Sequence, residues 1–174
     1  MKRISSKLKN KLKKVRLLIL DVDGVLTDNS LFISDDGMET KKFNVSDGMG
    51  IYLAKKCGIE VALISGRKSK ATELRAKELK LKKTFFYATE KMIPYQKIKN
   101  RFKLQDKEIA FVGDDLLDVP ILKKVGVPIV VGNSNSVTKK FAAYITEAGG
   151  GEGAVREVID LILHSKRVNL EKLI

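Results

Sequence analysis

Asp21 and Asp23 follow a short apolar run and are separated by one residue. On an extended chain, residues two apart point to the same side, so both carboxylates can face one site. Acids this close repel each other unless a cation or a shared proton lies between them. Gly24 lets the backbone turn sharply and approach a ligand closely. Three later stretches also end in polar groups: Ser65-Gly66-Arg67, then Lys91, then Gly113-Asp114-Asp115. Magnesium prefers one or two carboxylates, waters and phosphate oxygens in octahedral array, and Asp114 would supply a ligand from a neighbouring strand. A hydroxyl, an ammonium group and paired carboxylates around such an ion suit phosphoryl transfer, which asks mainly for positioning and charge stabilisation. Asp118, four residues after Asp114, is placed to orient a metal-bound water or Lys91. Asp115 is an alternative ligand, and Lys97 a rival for the role of Lys91.

The elements that must carry these groups alternate regularly. Near-continuous apolar runs at 16–20, 60–64, 84–87, 108–112 and 127–131, with a short one near 143–146, predict strands buried on both faces of a parallel sheet. Helical patterns lie between them near 48–56, 68–79, 92–102, 116–124 and 136–141, with a last one at 154–164. This order predicts an α/β fold, a Rossmann-like doubly wound parallel sheet with right-handed crossovers. In such sheets ligands bind outside the carboxyl ends of the strands, where the polar groups fall. One segment interrupts the alternation: 30–33 and 39–43 flank Ser34-Asp35-Asp36-Gly37, a hairpin signal directly after the first strand. The chain leaves no room for a large lid. It reads as a basic N-terminal extension over residues 1–15 and a single domain over 16–174.

Composition narrows the function further. The 174 residues carry a formal charge of +13, and no apolar run approaches the roughly 20 residues that span a bilayer. Eight of the cations lie between Met1 and Leu20 with no acid among them, which leaves +5 for the remainder. A solvated extension or first helix accounts for that cluster, with attraction of an anionic partner or substrate as the alternative. No aromatic RNA-binding motif, zinc finger or helix-turn-helix signature accompanies it, so a nucleic-acid partner is not expected. The short run at 17–20 is interrupted by Asp21 and Asp23 and lacks a small-residue cleavage site, unlike a secretory signal. The lone Cys57 excludes an internal disulfide and fits a reducing cytoplasm. It also has no arginine six positions later, which a cysteine-dependent phosphatase loop needs. One histidine, His164, argues against phosphohistidine or multi-histidine zinc chemistry.

The four polar strand ends resemble, in order, the motifs of the haloacid dehalogenase superfamily. More specifically, 18–28 (Leu-Ile-Leu-Asp-Val-Asp-Gly-Val-Leu-Thr-Asp), Phe43–Gly48, Ser65–Lys68, Gly113–Asp115 and the glycine-rich 150–158 look like the 3-deoxy-D-manno-octulosonate 8-phosphate phosphatase family. The resemblance implies a capless, homotetrameric, magnesium-dependent enzyme serving lipopolysaccharide precursor synthesis. In it the hairpin builds the oligomer and the glycine-rich tail reaches a neighbour's active site. It further implies that Asp21 attacks phosphorus, Asp23 acts as acid and base, Ser65 and Lys91 hold the phosphoryl group, and Asp21, the Asp23 carbonyl and Asp114 bind magnesium. A nine-carbon ketosugar acid phosphate is the alternative substrate, since the same fold handles both in related enzymes. A non-catalytic basic binding module on this fold is the alternative of a different class.

By the same resemblance, a phosphorylated sugar acid would meet Asp23, Asn44, Val45, Ser46, Asp47, Gly48, Arg67, Arg75 and Lys91. Asn44 to Gly48 open a helix whose free amides suit an anion, and guanidinium forks suit a carboxylate. Simpler roles stay open: Asn44 and Asp47 as helix caps, and Arg75 as an exposed helix cation. The segment 149–154 fits a relaxed dinucleotide fingerprint, but no strand with an acidic residue follows it, so a nucleotide site is not expected there.

Overall fold

The computed structural model describes residues 4–173. Its order is α1 (Ser6–Leu12), β1 (Leu17–Leu20), β2 (Phe32–Ile33), β3 (Glu39–Thr40), α2 (Val45–Lys56), β4 (Glu60–Ile64), α3 (Lys70–Glu78), β5 (Thr84–Phe85), α4 (Met92–Phe102), β6 (Ile109–Gly113), α5 (Val119–Leu122), β7 (Val127–Val130), α6 (Ser136–Lys139), β8 (Tyr144–Ile145) and α7 (Ala154–Ser165). Six strands form one sheet in the order β5-β4-β1-β6-β7-β8, and every pairing in it is parallel. The expected doubly wound sheet is therefore present, with β1 central between β4 and β6. The order reverses beside β1, the crevice where such folds bind ligands.

Period-2 alternation divides the core into two layers. Leu18 and Leu20 of β1 join Ile51 and Ala54 of α2 and the apolar face of α7 on one side of the sheet. Leu17 and Ile19 join Tyr95 and Ile98 of α4 and Ile121 and Leu122 of α5 on the other. The leucines and isoleucines of both layers are buried, and truncating one of them to alanine would cost about 2–5 kcal/mol.

The stretch before β1 carries α1. Ser5 caps it by accepting from the Leu8 amide, and Leu8 and Leu12 bury against the α7 layer while the lysines face solvent. Residues 1–3 and 174 of the extension and domain read from the sequence lie outside the described residues. The single helix expected over 116–124 is instead a tight turn, Leu116–Asp118, followed by α5. Two causes are visible. Asp118 turns its carboxylate back to the amides of Asp114 and Asp115, and Pro120 has no amide to extend a helix through.

The hairpin is present as an antiparallel pair, with Phe32 opposite Thr40 and Ile33 opposite Glu39. Ser34 and Gly37 close its turn, Gly37 at φ +79°. Leu31, Phe32, Ile33 and Met38 leave their apolar side chains exposed. Among the described residues no further domain covers the sheet, as expected of a capless fold.

Candidate active site

The carboxyl ends of β1, β4 and β6, with Lys91, surround a cleft of about 210 Å³ lined by Asp21, Asp23, Gly66, Arg67, Lys91, Asp114 and Asp115, among others. Backbone bonding brings the first two strand ends together. The Asp21 amide continues the β1–β6 ladder by donating to the Val112 carbonyl at 3.0 Å. Gly24, at φ +83°, closes the turn after it, and any side chain there would collide with Asp114 Oδ2. Only glycine lets the two loops meet this closely.

Lys91 opens α4 and is buried. Its Nζ lies 2.8 Å from Asp21 Oδ2 and 2.7 Å from Asp118 Oδ1. The other Asp118 oxygen accepts from the Asp114 amide at 2.9 Å and from the Asp115 amide at 3.3 Å. Asp118 is thus fully buried and ties the catalytic-lysine candidate to the β6 loop. Carboxylate oxygens of Asp21, Asp114 and Asp118 lie within 4.8 Å of one another. Ser134 adds a hydrogen bond from its hydroxyl to the Asp114 carbonyl.

Three carboxylates here share one ammonium group. Burial, then repulsion from Asp118, pushes the Asp21 pKa up to about 7 despite the opposing pull of Lys91. Burial and the Asp21 and Asp118 charges push Asp114 up to about 8. Burial alone would lower the Lys91 pKa, but Asp21 and Asp118 outweigh it and raise it. A convergent set of hard oxygen donors with surplus negative charge fits a divalent cation such as magnesium.

The remaining expected residues separate into two places. Ser65, at the end of β4, is buried, and its hydroxyl donates to the Arg67 carbonyl at 2.8 Å. Arg67 faces the cleft and holds Glu39 of the hairpin at 2.6 Å. Asp115 caps the turn after β6 through the Leu116 amide, apart from the three converging carboxylates. Lys97 is exposed on α4, whereas Lys91 reaches Asp21.

Asn44 to Gly48 do not line this cleft in the single chain. Asn44 caps α2 by accepting from the Ser46 and Asp47 amides at 2.8 and 3.3 Å. Asp47 is buried and accepts from the Arg156 amide at 2.7 Å, which caps α7 and pins it to α2. Arg75 donates to the Asn44 carbonyl at 3.1 Å and pairs with Glu78 at 2.9 Å. Val45 and Ser46 remain exposed at this turn. Two residues absent from the sequence reading enter instead. Lys41, after β3, forms an ion pair with Asp23, and its partner Glu39 lies 3.4 Å away.

A family model described as haloacid dehalogenase-like hydrolase matches residues 85–159. The 3-deoxy-D-manno-octulosonate 8-phosphate phosphatase of Salmonella typhi is 41% identical over 160 residues, covering 92% of this chain and 85% of that protein. The crystal structure of the Yersinia pestis phosphatase of the same name superposes with a TM-score of 0.93 at 36% identity, covering 94% of this chain and 89% of that one. That of the Moraxella catarrhalis phosphatase, in complex with magnesium, phosphate and KDO, has a TM-score of 0.92 at 35% identity, covering 96% and 95%. With this identity along nearly its whole length, the chain belongs to the 3-deoxy-D-manno-octulosonate 8-phosphate phosphatase family of haloacid dehalogenase-like hydrolases.

Proposed function

We propose that the protein is a magnesium-dependent phosphatase that hydrolyses 3-deoxy-D-manno-octulosonate 8-phosphate to the free sugar acid and phosphate, a step in making lipopolysaccharide precursor. The observation that carries this reading is the buried ammonium of Lys91 set between Asp21 and Asp118, with Asp114 converging on the same point. Family membership and the magnesium, phosphate and KDO held by the Moraxella catarrhalis relative support the substrate and the ion.

Asp21, Asp114 and the backbone carbonyl of Asp23 would hold magnesium. When bound, the ion neutralises charge on the phosphoryl oxygens and favours the ionised form of Asp21. Asp21 attacks phosphorus as the bond to the sugar oxygen breaks, giving an aspartyl phosphate and a leaving alkoxide. Asp23 gives that oxygen its proton, then takes a proton from the water that hydrolyses the aspartyl phosphate. Lys91 holds the phosphoryl group and offsets the nucleophile's charge. Ser65 gives the phosphoryl group a hydroxyl in exchange for its bond to the Arg67 carbonyl. Arg67 receives the sugar-acid carboxylate.

Asn44 to Gly48 contribute to the sugar site as a preformed turn. The side chains of Asn44 and Asp47 are already engaged as caps, so the exposed Val45 and Ser46 present the contact surface, while buried Gly48 lets Arg75 pack close and steady Asn44 from behind. The exposed apolar hairpin supports a homotetramer in which that surface meets a neighbour's cleft. The free Cys57 suits the cytoplasm as its location. Comparing kcat/KM across phosphorylated sugar acids tests the reading. The eight-carbon 8-phosphate should exceed a nine-carbon 9-phosphate by at least about ten-fold, or about 1.4 kcal/mol in transition-state binding. The reverse order would reassign the substrate.

A further inference from the structure

The hairpin does more than extend from the fold: it delivers a buried cation to Asp23. Lys41 follows β3, its side chain is only 1% exposed, and its ammonium pairs with Asp23 Oδ1 and lies 3.4 Å from Glu39. The other oxygen of Glu39 takes Arg67 at 2.6 Å. An unbroken chain of charges thus runs from Asp23 through Lys41 and Glu39 to Arg67, linking the ends of β1 and β4 across the hairpin. Among the described residues, Lys41 is the side chain that holds the Asp23 carboxylate.

A buried ion pair is a weak contributor to stability, because desolvation of both charges offsets their attraction. What it supplies well is geometry. The ammonium is fixed on one side by the strand and on the other by two carboxylates, so Asp23 has little freedom to swing. Proton transfer to a leaving oxygen depends on such placement, and an error of about 1 Å can cost about 10²-fold.

We infer that Lys41 is a positioning residue that aims Asp23 at the leaving oxygen, with Glu39 setting Lys41. This rests on the phosphatase reading above. The role predicts a dependence on the leaving group that a stabilising role would not show. A sugar alkoxide needs a proton as its bond to phosphorus breaks, whereas p-nitrophenolate leaves without one.

The test is the first-turnover rate, with magnesium, for the sugar-acid phosphate and for p-nitrophenyl phosphate. Lys41→Met keeps the buried stem and removes the ammonium. It should slow the sugar-acid phosphate at least about ten-fold with little change in KM, and leave p-nitrophenolate release within about two-fold. Lys41→Arg should recover much of the loss. Equal slowing of both substrates would mean that Lys41 holds the phosphoryl group or the fold, and would overturn the inference. Unchanged rates on both would overturn it too. Should Lys41→Met not fold, Glu39→Gln must show the same selectivity to a smaller degree, and its absence overturns the inference. A wild-type protein that releases no phosphate from either substrate contradicts the phosphatase reading itself, and this is seen before any variant is compared.

Discussion

Strand β6 meets carboxylates at both ends, and the two ends treat them oppositely. Before it, Asp106 accepts from Tyr95 and Lys99, both at 2.6 Å, with Lys124 3.8 Å away. Burial works against its ionisation, but those hydrogen bonds and charges prevail and hold its pKa below the usual range. After the strand, Asp114 crowds against Asp21 and Asp118, and burial and repulsion raise its pKa to about 8. A carboxylate matched by cations is doing the work of the fold. Carboxylates that outnumber their cations are destabilised in the free protein and stand ready for a cation from solution.

This contrast can be broken most severely at the carboxyl end. Asp21→Asn should lower kcat roughly 10⁴-fold or more, because an amide is a poor nucleophile and a weaker ligand, while the fold survives. Phosphate release and a melting curve read the two together. Asp118→Asn should cost less, about 10–100-fold in activity or magnesium affinity, since it acts by holding Lys91 and the Asp114 amide. A titration of activity against magnesium separates those two effects.

The third expectation concerns pH. Asp21 and Asp114 have raised pKa values, about 7 and 8, so the metal-free folded state holds more protons than the unfolded state from about pH 4 upward. Stability of the metal-free protein should therefore fall as pH rises through these values. Magnesium at a fixed concentration about 100 times its Kd at pH 8.5 should raise Tm there by roughly 5–10 °C, from ~2.7 kcal/mol of linkage, and by less at pH 6, where protons compete for the same carboxylates. Melting curves with magnesium or chelator at both pH values measure this, and an effect that grows toward low pH would contradict it. The smallest change is expected at the other end of β6. Asp106→Asn should cost about 1–2 kcal/mol of stability and leave kcat unchanged.

What could be read from the sequence follows from how local the cause is. Asp21, Asp23, Ser65, Lys91 and Asp114 are visible because each ends or follows an apolar run, and a parallel sheet brings such ends to one side. The six strands were legible for the same reason, down to small shifts at their ends. Lys41 and Glu39 carry no such signal, because the direction in which a hairpin folds back is set by contacts distant in sequence. The basic N-terminal cluster read equally as a solvated extension or a first helix, because its charges suit both; it is the helix, with Leu8 and Leu12 at helical spacing. Asn44 and Asp47 show the reverse case. Their types suit a binding turn and a cap equally, and only the structure shows both side chains engaged as caps. Asp118 was legible, four residues after Asp114, as a group that orients a metal-bound water or Lys91, and the structure shows the second of these, a 2.7 Å bond across 27 residues of chain.

The central claim is that Asp21, among the crowded acids, forms a covalent bond to phosphorus. Acid quenching during turnover of 3-deoxy-D-manno-octulosonate 8-phosphate, followed by peptide mass spectrometry, tests it most directly. The expected result is one phosphoryl group on the peptide bearing Asp21, present with magnesium and absent in Asp21→Asn. Full turnover by Asp21→Asn, or a phosphoryl group trapped on another residue, would contradict it.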